Sequence, residues 1–181
     1  MHRASFPPTA PHMDPSIPDR LSANAGVVRY LLEGVDVDQA RWRPVPAKWS
    51  LLEVVNHLAD EEREDFRTRL DLTLHRPGHP WPPIDPEGWV RARDYDSRDP
   101  AGSLEDFLRE RQASVAWLRG LTDFDPTASY AHPTRGPISA GTLLHSWVAH
   151  DLIHIRQMTR LHYEFLRDTA SGDALGYAGE W

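Results

Sequence analysis

The sequence predicts an all-α protein, a four-helix bundle with long crossover connections. Three observations carry this prediction. Apolar residues recur at helical spacing in four separate segments, and none of the segments alternates convincingly as a strand does. Helix-start patterns precede several of the four segments. The connectors between them are rich in proline and long enough to cross a bundle.

The first two helices are predicted from spacing and from residues suited to helix starts. The first runs from Pro18 to about Gly34, since proline is tolerated in the first turn of a helix. After a connector that holds Trp42, the second begins at the capping-box pattern Ser50-Leu-Leu-Glu53 and runs to about His75.

The second half of the chain repeats this layout. Residues 76–100 are predicted to be a long irregular connection, and such lengths are often functional; a pocket-forming role is our hypothesis for it. The third helix is predicted from Ser103 to about Leu121, and residues 122–138 form a second connector. The fourth helix runs from about Ser139 to Leu166, with Leu152 among its apolar positions.

These elements divide the chain into three parts. Residues 1–16 are predicted to be a flexible N-terminal arm, because the segment is polar and holds four prolines. Residues 17–167 form the bundle, and residues 168–181 form a glycine-rich C-terminal tail.

Composition excludes several classes of function. The chain has 181 residues, enough for one domain with a full hydrophobic core. Its 20 basic and 27 acidic residues give a net charge of -7 without a dense basic run, which argues against nucleic-acid binding. The absence of cysteine excludes disulfides, thiolate metal sites and a cysteine nucleophile. No apolar run suits a membrane span or a secretory signal, so we expect a cytoplasmic protein.

The histidines carry the chemical signal. His150 and His154 are four residues apart, so on a helix they share one face and can bind a single metal ion. His57 lies inside the second helix and supplies a third imidazole. The alternative is a pair on a helix edge, one solvated and one bonded to a carbonyl. His145 lies off the face that carries these two histidines, and His162 lies about two turns beyond His154.

Two polar residues are candidates for catalysis. Glu61 lies four residues after His57 and is expected to be a fourth ligand or a base that orients water, unless it is an exposed carboxylate of the run Asp60-Glu61-Glu62. Gln157 lies three residues after His154 and can orient a ligand or a substrate amide, unless it is ordinary helix-surface polarity.

Two segments resemble signatures of the DinB/YfiT-like superfamily. Residues 48–62, KWSLLEVVNHLADEE, are similar to its second-helix signature, and residues 141–157 are similar to its fourth-helix signature. The resemblance implies a four-helix bundle with a divalent metal held by His57, His150 and His154. Many members carry a further histidine beside the last ligand, where this chain has isoleucines at 153 and 155.

The resemblance also bounds the function. Known activities of the superfamily include transferases and isomerases that use low-molecular-weight thiols, and metal-dependent hydrolases. We therefore predict a divalent-metal-dependent enzyme, with Zn²⁺ or Ni²⁺ favoured by all-imidazole ligation. The first expectation is an S-transferase whose metal activates bacillithiol or a similar thiol. The alternatives are a hydrolase with Glu61 as the base for metal-bound water, and a non-catalytic metal-binding stress-response protein.

The expected partner is a small-molecule substrate, with neither nucleic acid nor a membrane involved. A homodimer is compatible with every alternative. The alternatives differ at the metal: a fourth protein ligand favours a structural site, and an open position favours an enzyme.

Overall fold

The computed structural model describes residues 13–170, 175–179 and 181. Its elements, in chain order, are α1 (Ser16–Leu32), α2 (Val37–Arg41), α3 (Leu51–Asp60), a π-helical turn (Glu61–Phe66), α4 (Arg67–His75), α5 (Pro86–Ala92), a 3₁₀ turn (Tyr95–Ser97), α6 (Pro100–Arg119), β1 (Ser129–His132), β2 (Gly136–Ser139), α7 (Ala140–Thr169) and a second 3₁₀ turn (Gly176–Ala178). The predicted arm falls largely outside the described residues. Of the predicted tail, residues 168 and 169 belong to α7 instead.

The second predicted helix is continuous from residue 51 to residue 75, but it is not a regular α-helix. At Glu61–Phe66 its backbone widens into a π-helical turn that joins α3 to α4. Hydrogen bonds of such a turn span five residues instead of four, and apolar periodicity over so short a stretch does not reveal the change.

The structure corrects the predicted start of the third helix. Its N-cap is Asp99, whose carboxylate accepts from Gly102 N at 2.7 Å, and Pro100 occupies the first turn. Ser103, the predicted start of the helix, lies inside it instead, where its hydroxyl accepts from the Asn56 amide at 3.0 Å.

The connectors hold more regular structure than the sequence predicted. Residues 76–99 are not wholly irregular, since they contain α5, which begins with Asp85 as N-cap and Pro86 in its first turn. Residues 122–138 contain most of an antiparallel hairpin, β1–β2, in which Ser129 pairs with Ser139 and His132 with Gly136. These elements are too short for periodicity to separate them from loops.

The four long helices form a bundle, which confirms the predicted fold class. α1 packs mainly against α6 and α7, and the helix formed by α3 and α4 packs mainly against the same two. α1 therefore lies diagonally opposite the α3–α4 helix that follows it in the chain, and α6 lies diagonally opposite α7. Residues 33–50 and 120–139 form the connections that cross the bundle. Among the described residues, no helix combines the length and apolarity needed to cross a membrane.

Two apolar clusters fill the bundle, one toward each end. The first includes Leu58, Phe107 and Met158, and the second includes Phe66 and Trp147. On α3–α4, α6 and α7, buried polar side chains lie where the two clusters approach each other: His57, Glu61, Glu62, Arg111, Asp151 and His154. The fold thus encloses a polar layer in the middle of its core.

Candidate metal centre

Three imidazoles meet in this polar layer. Nε2 of His57 on α3 lies 3.1 Å from Nε2 of His154 and 3.3 Å from Nε2 of His150, both on α7. The two α7 nitrogens are 3.2 Å apart. His57 and His154 are buried and His150 is half-buried. The structure thus brings together the three histidines that the sequence singled out.

Capping interactions fix where α3 begins and therefore where His57 points. Ser50 Oγ accepts from Glu53 N at 3.2 Å, and Glu53 Oε2 accepts from Ser50 N at 2.8 Å, which completes the predicted capping box. The guanidinium of Arg43 holds Glu53 through two hydrogen bonds of 3.0 and 2.8 Å. His57 follows Glu53 by one turn of this anchored helix.

The spacing of the nitrogens fits a divalent metal ion. Three ligand nitrogens at the usual zinc distance and tetrahedral angles lie about 3.3 Å apart. Burial, followed by the charges of the neighbouring histidines, lowers the pKa of His57 to about 2. Burial, followed by His154 and Arg111, lowers the pKa of His150 to about 3, and burial also lowers the pKa of His154. Neutral imidazoles with converging nitrogens are the form that binds a metal.

The outer nitrogens of two histidines face the predicted catalytic residues. Gln157 Oε1 lies 2.9 Å from His154 Nδ1, and because an amide oxygen only accepts, that ring is protonated at Nδ1 and keeps Nε2 free. Glu61 Oε1 lies 3.8 Å from His57 Nδ1. Both residues therefore contact the side of a ring that faces away from the cluster. Their direct participation in catalysis stays a prediction.

Glu61 belongs to a run of carboxylates that is buried rather than solvated. Asp60, Glu61 and Glu62 are each less than 5% exposed, so the alternative of an exposed acidic surface is wrong. Burial, followed by the neighbouring Asp65, raises the pKa of Glu61, and burial raises the pKa of Asp65. Two such carboxyl groups in contact share a proton more readily than they both ionise.

Glu62 is held by a charged network beside the histidines. The buried guanidinium of Arg111 donates to Glu62 at 2.7 Å and to both oxygens of Asp151 at 2.7 Å. Trp147 Nε1 donates to the same oxygen of Glu62 at 2.6 Å. Because Asp151 follows His150 in the chain, this network anchors α7 next to its first candidate ligand.

Aromatic rings enclose the histidines on two sides. The ring of Trp49 lies 4.9 Å from that of His57 and is stacked at 6.3 Å on His154, and the ring of Phe66 lies 5.2 Å from His150. Ile153 is 55% exposed next to the ligand face of α7, and Leu152, predicted as an apolar inward position, is equally exposed.

A cavity of about 880 Å³ is lined in part by Trp49. Its walls come from two connectors, residues 43–49 and residues 85–96, together with Glu53. The second connector is tied to α3 because Arg93 pairs with Asp60 at 2.7 Å and Arg98 donates to Asn56 at 2.8 Å. The predicted connection at 76–100 thus contributes to a cavity whose lining includes Trp49, the residue whose ring lies beside His57 and His154.

Sequence reasoning missed the residues that support the three histidines. Arg111, Asp151 and Asp65 had no place in the predicted site, although each is buried. A partial signal was present, since Arg111 and Asp151 are charges within apolar helical faces. Nothing in the spacing identified their partners.

Comparison with known proteins places this geometry in a family. Residues 20–158 match the sequence model of the DinB superfamily. The chain is 33% identical over 115 residues, 62% of its length and 64% of the relative's, to the Bacillus subtilis (strain 168) protein named "Putative metal-dependent hydrolase YfiT". It is 29% identical over 114 residues to a protein of Oceanobacillus iheyensis that carries the name "Putative metal-dependent hydrolase", again over 64% of that relative. The match thus spans less than two thirds of each relative's length.

The fold has a counterpart among solved structures. The structure of YfiT from Bacillus subtilis is similar with a TM-score of 0.75, and the match covers 88% of this chain and 93% of that chain at 24% identity. That protein is described as "a probable metal-dependent hydrolase with an unusual four-helix bundle topology". At this identity the likeness concerns the fold alone.

Proposed function

We propose that this chain, which belongs to the DinB superfamily, is a divalent-metal-dependent hydrolase that acts on a small-molecule substrate. The observation that carries the proposal is the convergence of three Nε2 atoms within 3.1–3.3 Å in the core. Among the described residues, the cluster contains only these three potential ligands, which favours an open site over a closed structural one. The names of the two relatives support the same reaction class.

We assign the following roles to residues of the chain. His57, His150 and His154 would hold the ion through their converging Nε2 atoms. Gln157 keeps His154 in the tautomer that binds a metal, by accepting its Nδ1 proton. A bound divalent ion supplies Lewis acidity, which activates water or a thiol as a nucleophile at neutral pH. Trp49 and Phe66 limit the access of solvent, because their rings lie against the imidazoles.

For Glu61 we propose an orienting role in place of a direct proton transfer. Its contact with the cluster is through Oε1, which lies 3.8 Å from Nδ1 of His57, on the side of the ring opposite the Nε2 atoms that converge. Replacement by alanine, which removes the oxygen that faces His57 Nδ1, should therefore weaken metal binding together with turnover. A base that acts on water would instead lose turnover while the metal remained bound.

The second candidate is an S-transferase that uses a low-molecular-weight thiol such as bacillithiol. The observation that favours it is the absence of cysteine, since the protein supplies no thiol of its own and three imidazoles leave room for an exogenous thiolate. Zn²⁺ or Ni²⁺ suits this donor set in both candidates. Cytoplasmic location and homodimerisation remain proposals that accompany either reaction.

The test combines metal loading with two substrate panels. Purified protein is depleted of metal, reloaded separately with Zn²⁺, Ni²⁺, Mn²⁺ or Co²⁺, and assayed by elemental analysis for one ion per chain. Hydrolysis is followed with chromogenic esters, amides and phosphoesters, and thiol transfer with bacillithiol and chlorodinitrobenzene. Metal-dependent turnover in one panel assigns the reaction.

A matched pair of histidine variants links the activity to the site. His154→Ala should abolish both metal binding and turnover, whereas His145→Ala, at an exposed position of the same helix, should leave both unchanged. Stoichiometric metal without turnover in either panel would favour the non-catalytic alternative. Failure of the wild-type protein to bind any of these ions would overturn the proposal.

A further inference from the structure

Four side chains form a continuous stripe that leads away from the cluster. His57, Glu61, Asp65 and Arg69 follow one another at intervals of four residues. Glu61 Oε1 faces His57 Nδ1 at 3.8 Å, the carboxyl groups of Glu61 and Asp65 lie within hydrogen-bonding reach of each other, and Arg69 Nη1 lies 2.8 Å from Asp65 Oδ1. Each member therefore contacts the next.

The π-helical turn keeps these residues on one side of the helix. Over the twelve residues from 57 to 69, a regular α-helix makes three full turns and then rotates about 120° further. The π-helical turn Glu61–Phe66 takes up one extra residue, which cancels about 100° of that rotation. Without this extra residue, Arg69 would point about 120° away from His57 around the helix axis, and the stripe would be interrupted.

The contact between Glu61 and His57 leaves two facing polar atoms without a hydrogen bond. Both residues are 4% exposed, and neither His57 Nδ1 nor Glu61 Oε1 has a hydrogen-bond partner among the described residues. A buried imidazole N–H needs an acceptor, and Glu61 Oε1 is the facing oxygen. A proton on Nδ1 leaves Nε2 free to bind a metal.

We propose that Asp65 is a positioning residue of the metal centre, which holds the Glu61 carboxyl group toward His57 and so fixes the ring orientation and tautomer of that ligand. The proposal rests on the proposed metal-binding function and deepens it. Arg69 completes the arrangement by holding Asp65. Removal of the outer residues that orient metal ligands typically lowers metal affinity by about 10- to 100-fold.

The experiment measures Co²⁺ binding to three variants by titration and by visible absorption. Asp65→Ala should weaken Co²⁺ binding at least tenfold relative to wild type and shift the absorption bands, because His57 loses its fixed orientation. Asp65→Asn retains a group that can hydrogen-bond Glu61 and should restore affinity to within about threefold. Asp71→Ala is the matched control, since Asp71 forms a similar i,i+4 pair with exposed His75 on the same helix, at 2.9 Å.

A measurement on the unmodified protein makes the test independent of variant folding. Long-range ¹H–¹⁵N spectra of the metal-free wild type should show His57 protonated at Nδ1. Protonation at Nε2 would overturn the proposal, as would an Asp65→Ala affinity within threefold of wild type with an unchanged absorption spectrum.

The outcome is separable from that of the proposed function. A protein without hydrolytic turnover whose Co²⁺ affinity still depends on Asp65 would contradict the hydrolase and support the positioning role. An active hydrolase whose Co²⁺ affinity does not depend on Asp65 would support the hydrolase and contradict the positioning role.

Discussion

Removal of the Arg111 guanidinium is the sharpest test of what holds the bundle together. This side chain, only 2% exposed, lies on α6 and links the other long helices. It donates to Leu21 O on α1 at 2.8 Å, to Glu62 in the π-helical turn at 2.7 Å and to Asp151 on α7 at 2.7 Å. Arg111→Met keeps much of the apolar stem and removes these hydrogen bonds.

The expected loss follows from what remains buried. Glu62 and Asp151 are each 1% exposed, and removing the cation leaves two carboxylates without their main counter-charge. Loss of one partner from a buried ion pair costs about 3–5 kcal/mol. Asp151 keeps a hydrogen bond from Asn24 at 3.0 Å, and Glu62 keeps one from Trp147 at 2.6 Å. We therefore expect a loss of about 4 kcal/mol instead of the sum for two isolated charges.

Equilibrium urea unfolding followed by circular dichroism measures this loss. With a denaturant slope of about 2 kcal/mol per molar, a loss of 4 kcal/mol lowers the midpoint by about 2 M. Arg109→Met is the matched control, since Arg109 lies on the same helix and pairs with Asp106 at the same 2.7 Å, but with 64% of its side chain exposed. An exposed pair of this kind contributes less than about 1 kcal/mol.

A loss of less than about 1 kcal/mol for Arg111→Met, or one no larger than that of Arg109→Met, would show that the buried guanidinium does not hold the bundle together. A triple variant checks the stated cause. Adding Glu62→Gln and Asp151→Asn to Arg111→Met removes the uncompensated charges and should recover at least half of the loss. A triple variant no more stable than the single one would show that the loss comes from packing.

Three further predictions concern the metal and the connectors. His150→Ala should lose stoichiometric metal by elemental analysis while its circular-dichroism spectrum stays helical, and unchanged metal content would contradict the site. Chelation of the bound metal should lower the thermal midpoint, since a ligand at 100 times its Kd stabilises by about 2.7 kcal/mol; equal midpoints with and without chelator would argue against a site formed only in the folded state. Tyr95→Phe should cost about 1–2 kcal/mol in urea unfolding, because the buried hydroxyl donates to Asp60; a loss below 0.5 kcal/mol would mean that Arg93 and Arg63 alone satisfy that carboxylate.

The parts of the fold that repeat over many residues could be predicted from the sequence. The four long helices were predictable because their apolar residues recur over several turns, and the capping box at Ser50 fixed the start of α3 correctly. The three histidines were predictable for a related reason, since two of them share one turn of a helix. Their meeting with His57 required the fold class, because His57 lies on a different helix.

The remaining elements depend on contacts between distant segments. The start of α6 was misplaced because Ser103 resembles a cap, while its hydroxyl is in fact used by Asn56, 47 positions away. The short helix α5 and the hairpin β1–β2 have too few residues for a period to be read. Their positions depend on contacts with α3 and α4, as in the pairing of Arg93 with Asp60.

The acidic run shows why the surroundings of the site could not be predicted. Three consecutive carboxylates on a helix usually indicate a solvated face, because successive side chains point about 100° apart and cannot all face one partner. Here each meets a different partner: Asp60 meets Tyr95 from a connector, Glu61 faces His57, and Glu62 meets Arg111 of α6. Because the three side chains point in different directions, they cannot share a partner, but each can reach its own when other segments pack around the helix. Burial of the whole run is therefore a consequence of the diagonal topology and of the connector that covers α3. Neither feature can be predicted from the spacing of residues within the run.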